Sequence, residues 1–126
     1  MSDELSEELR ELVRSNNVSG IYEYGNRNGK DGIRETYRAV SKYFRGKGDH
    51  VMALAYAESC GANDLIDEIL SDDNAVSDAW NFVGPEMEMM IRHMTPFAIA
   101  GTPQTRMYRL LQAYEARKQG KEPPLW

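Results

Sequence analysis

Two clusters of carboxylates are the first places in this sequence where chemistry could occur. Glu7-Glu8-x-x-Glu11 and Asp64-x-x-Asp67-Glu68 each set acids one helical turn apart. At that spacing side chains share a helix face and can offer oxygen ligands to a hard divalent cation. A cation held there could assist a hydrolysis. The second half of such a site does not follow at a suitable spacing. Acids in a first helical turn also satisfy the helix dipole without any metal. The only histidines are His50 and His93 and the only cysteine is Cys60, with no partner at zinc-ligand spacing. No Gly-rich phosphate loop, nucleophile elbow or Cys-His arrangement is present. The sequence nominates no catalytic residue, no metal ligand and no cofactor, and an enzyme is not expected.

A ridge of cations is more specific. Lys30, Arg34, Arg38, Lys42 and Arg45 recur at spacings of 4, 4, 4 and 3. On a helix at about 100° per residue the five fall within an arc of about 120°. Five like charges on one face repel by a few tenths of a kcal/mol per adjacent pair, so an opposing anionic surface would relieve them. Phosphates of a nucleic acid would serve, as would an acidic protein surface. An acidic chain with no second recognition element favours protein over nucleic acid.

The net charge of −5 hides strong segregation. Residues 26–47 hold seven bases against two acids, whereas residues 48–91 hold ten acids and no Lys or Arg. Opposite faces of this kind can meet within a molecule, between copies, or with a partner. The C-terminal Pro123-Pro124-Leu125-Trp126 is extended by its proline pair, and Pro124, Leu125 and Trp126 form a candidate anchor for a neighbour, as tryptophan hot spots do. Met87, Met90, Ile91 and Met94 share a face that suits a core.

These groups require helices to position them. Apolar residues recur at helical spacing over about residues 3–15, 31–45, 50–60, 63–70 and 73–83, and again in a helix opened by Pro85 and in one opened by Pro103. Val18 to Tyr24 suits either a short helix or an extended piece. The segment from Gly48 to Leu70 resembles a single ankyrin-type helical hairpin in Leu54, Ala57, Gly61 and Ile69-Leu70. The resemblance implies two short packed helices; the Thr-Pro-Leu-His opening is absent and no second copy follows. The carboxylate spacing is similar to that of helical Mg2+-dependent nucleotide pyrophosphatases, on the acidic clusters alone.

The expected fold is all-α, a compact array of about six to seven short helices. A single helical domain is expected over 1–119, with an extended tail over 120–126. No apolar run approaches the ~18 residues of a membrane span, and no secretory leader opens the chain. One cysteine suits a reducing cytoplasm, or a particle assembled there. The expected role is a non-enzymatic assembly or adaptor protein working through protein contacts or self-association, of the kind found among small helical connectors of viral particles. The alternatives are a nucleic-acid-binding regulator using the helix over 30–45 and the Mg2+-dependent nucleotide hydrolase. Neither a membrane nor a small-molecule substrate is expected as a partner.

Overall fold

A computed structural model describes residues 5–85 and 103–121. Among the described residues there are seven helices and no strand: α1 (Glu7–Arg14), α2 (Val18–Asn26), α3 (Gly29–Gly46), α4 (His50–Ser59), α5 (Asn63–Leu70), α6 (Asp73–Val83) and α7 (Pro103–Lys118). The all-α expectation holds. The methionine-rich segment and the Pro124, Leu125 and Trp126 tail lie outside the described residues.

Contacts group the chain into two compact units, Met1–Ile69 and Leu70–Trp126. The first is built on α1 to α4. Ser6 caps α1 by accepting from the Leu9 N–H at 3.2 Å, Asn17 caps α2 by accepting from the Gly20 N–H at 3.0 Å, and Asp49 caps α4 through the Met52 N–H at 3.1 Å. Each cap satisfies one of the N–H groups that a helix start leaves without an internal partner. Asn16 closes α1 at φ 55°, a left-handed conformation that asparagine tolerates better than most residues. The ambiguous Val18–Tyr24 stretch is therefore helical, started by the same Asn pair that stops α1.

Leu5, Leu9, Val13, Ile21, Val40 and Tyr56 form the buried core of this unit. Tyr37 meets Tyr56 edge-on at 5.4 Å between ring centroids, and Phe44 stacks on Tyr56 at 5.9 Å. α2 and α3 cross at glycines: a Cβ on Gly25 would stand 2.8 Å from the Ile33 Cα, and one on Gly32 would overlap the Gly25 carbonyl oxygen. α3 and α4 are joined by a buried hydrogen bond in which the Ser41 hydroxyl donates to the Ala53 carbonyl at 2.7 Å. α4 and α5 are the two short helices that the hairpin pattern implies.

In the second unit α6 packs on α7. Trp80 and Tyr108 meet edge-on at 5.8 Å, and the Tyr114 hydroxyl donates to the Leu70 carbonyl at 3.2 Å. Leu111 and Thr105 are fully buried. Among the described residues no helix is long and apolar enough to cross a membrane.

Candidate docking face

All five ridge cations lie on one helix, because α3 runs unbroken from Gly29 to Gly46. Their surroundings differ. Arg38 donates both terminal nitrogens to Asp64, at 3.0 and 2.8 Å, and Arg45 reaches Glu68 at 2.8 Å. Asp64 and Glu68 are one turn apart on α5, so the C-terminal half of the ridge is neutralised by the chain's own acids. Lys42 is exposed and has an interaction partner of its own. Lys30 and Arg34 are exposed, and neither meets a carboxylate at ion-pair distance among the described residues. Of the five expected cations, Arg38 and Arg45 are thus paired by acids of α5, and Lys30 and Arg34 are open among the described residues.

The Arg38 guanidinium lowers the Asp64 carboxyl from 3.8 to about 2, chiefly by hydrogen bonding. A depressed acid adds stability above its ordinary value and loses it as pH falls through the folded value. The Asp64 contribution is therefore present above pH 3.8 and is lost on acidification toward about 2. Both partners are at the surface, where solvent screening keeps such a pair small. Asp64→Asn is expected to flatten the fall in urea midpoint across that interval and to leave the rest of the acid profile unchanged.

Apolar surface is exposed on α2. Val18 is 57% exposed and Tyr22 is 47% exposed, the exposed large hydrophobics among the described residues. They stand one turn apart on α2. Tyr22 is near enough to Tyr37 to act on it electrostatically, although burial is the larger cause of the raised Tyr37 hydroxyl. Tyr37 in turn stands one turn from Arg34 on α3. Val18 and Tyr22 are carried by α2, and Lys30 and Arg34 by α3. Sequence reasoning found the cations and missed Val18 and Tyr22. The signal was the ambiguous Val18–Tyr24 stretch, whose apolar residues outnumber what one short helix can bury.

The reactive groups are otherwise committed. Burial pushes the Cys60 thiol up, against smaller opposing effects of backbone hydrogen bonding and of Arg38 and Arg34, so it stays protonated at neutral pH. Glu8 pairs with Arg27, whose guanidinium lowers its carboxyl by hydrogen bonding. Glu11 pairs with Arg14 at 3.4 Å. Of the carboxylates that spacing offered to Mg2+, Glu8, Glu11, Asp64 and Glu68 thus meet arginines, and among the described residues no three His, Cys, Asp or Glu side chains converge to hold a metal. A half-open cleft of about 360 Å3 lies between α1, α2 and α3. On its rim the Ser6 and Tyr24 hydroxyls share a 2.9 Å hydrogen bond, and Arg27 lies over the Tyr24 ring at 5.0 Å.

No family model matches this chain, and neither a curated protein nor a solved structure matches it.

Proposed function

We propose that this protein is a non-enzymatic helical assembly or adaptor protein that acts through protein contacts, in an oligomer or a larger complex. The observations that support the reading are exposed apolar side chains on α2, Val18 and Tyr22, and two cations on α3, Lys30 and Arg34, that meet no carboxylate at ion-pair distance among the described residues. Exposed apolar side chains and open cations both suit a protein contact: burial of the apolar part supplies affinity and the charges supply orientation and choice of partner. The reading extends to a cytoplasmic setting or a particle assembled there.

Nucleic acid fits this face less well. With Arg38 and Arg45 committed to α5, two open cations remain, and the salt slope of log K on single strands would be only about −0.7 × 2. The deciding experiment is isolation of the full chain at low salt from its native source. A stoichiometric protein partner or an oligomer is expected, and Tyr22→Ser with Arg34→Glu is expected to release it while leaving the far-ultraviolet circular dichroism unchanged. A strict monomer that retains no protein would overturn the reading, and recovery of nucleic acid alone would replace it.

A further inference from the structure

The short link between α2 and α3 ends in Asn28-Gly29, the single Asn-Gly pair of the sequence. A backbone nitrogen can attack the side-chain amide of the asparagine before it, and glycine, having no Cβ, hinders that attack least. The fold leaves this pair free to react. Asn28 is exposed, and its amide makes no capping bond to α3 and no other hydrogen bond among the described residues. The Gly29 N–H opens a helix and has no acceptor within it, and it donates to no carbonyl of α2. Gly29 stands at φ 72°, with no atom within 4 Å of where a Cβ would lie.

Attack requires the peptide plane between the two residues to swing. Turning ψ of Asn28 away from 25° and φ of Gly29 by the opposite amount does this while both helices stay in place, and glycine accepts both settings. The swing gives up one hydrogen bond, from the Gly32 N–H to the Asn28 carbonyl, already long at 3.4 Å. The neighbouring Asp31-Gly32 pair is held differently. It lies inside α3, and Gly32 is packed so tightly that a Cβ would overlap the Gly25 carbonyl oxygen.

We propose that Asn28 is a site of spontaneous deamidation in the folded chain. The Gly29 nitrogen bonds to Asn28 Cγ and gives its proton to water; the Cγ–Nδ2 bond breaks and ammonia leaves, closing a succinimide ring. Water then opens the ring. Attack at Cγ yields aspartate, and attack at the former backbone carbonyl yields isoaspartate, with the main chain rerouted through the side chain. Either product places a new negative charge at the start of α3, the end where a helix favours it.

Incubation of the purified full chain at mildly alkaline pH, followed by peptide mapping, tests this. A synthetic peptide of residues 25–37 is aged beside it as the unfolded reference. Asn28 in the folded chain is expected to convert within about tenfold of the peptide's rate, because an exposed link opens at little free-energy cost. The readouts are a gain of one mass unit at Asn28 and a new acidic peak on ion exchange. Circular dichroism shows that the helices persist throughout. Reaction through the unfolded state alone would be far slower, since that state is a minute share of the molecules. Asn28→Gln is expected to abolish the acidic peak. Conversion more than about tenfold slower than in the peptide would overturn the proposal. So would an acidic peak that persists undiminished in Asn28→Gln, which would place the reaction elsewhere.

Discussion

Gly32→Ala is expected to destabilise the first unit by about 2 kcal/mol, opposite in sign to what helix propensity demands. Alanine in place of glycine inside an exposed helix would add about 1 kcal/mol of stability. Gly32 is not exposed. Its missing side chain is the space into which the Gly25 carbonyl oxygen fits, and a Cβ there overlaps backbone rather than a movable side chain. α2 would have to shift away from α3, which takes Tyr22 with it. A lowered urea midpoint, together with weaker docking of the folded fraction, is the expected result. A raised midpoint would show that the helices do not approach each other this closely.

Ile21→Ala is expected to cost about 3 kcal/mol. Ile21 is 1% exposed and sits in the cluster with Leu9, Val13 and Val40, so the lost methyl groups leave a cavity among side chains from three helices. Equilibrium unfolding in urea measures it directly. The effect belongs to the first unit, so the Trp80 fluorescence of the second unit reports whether the two unfold in one transition or in two. A loss below about 1 kcal/mol would mean that α2 collapses onto the gap.

Most of the helical layout was legible in the sequence because its punctuation is explicit. Asp49, Asp72 and Gly84 each do what their type predicts: the two aspartates cap helix starts and Gly84 ends α6 at φ 79°. α2 was harder, since Asn17 reads as a stop while its side chain is also a start. The apolar stripe of α3 was only partly informative. Of Ile33, Tyr37, Val40 and Phe44, Val40 alone is fully buried, while Gly32, Thr36 and Ser41 are buried without being large or apolar. Helices that approach closely bury small residues, and a search for large apolar side chains passes over them.

The candidate site was legible to the same depth. The ridge emerged from local spacing, which fixes which side chains share a face. Its neutralisation by Asp64 and Glu68 did not, because those acids lie more than twenty residues away and their approach depends on how α5 packs. The aromatic half of the face was hidden for a related reason: whether Tyr22 is core or surface depends on which side of α2 faces α3, and single-helix periodicity does not decide that.

The buried Ser41 hydroxyl carries a further consequence. Across the seam between α3 and α4 it donates to the Ala53 carbonyl in preference to the carbonyls of its own preceding turn. If α4 slid by a single residue, about 1.5 Å along its axis, this cross-helix bond would be lost and the hydroxyl would turn back to its own helix, a loss of about 1 kcal/mol. The bond therefore acts as a detent, favouring one alignment of the two rods and setting where α5 begins.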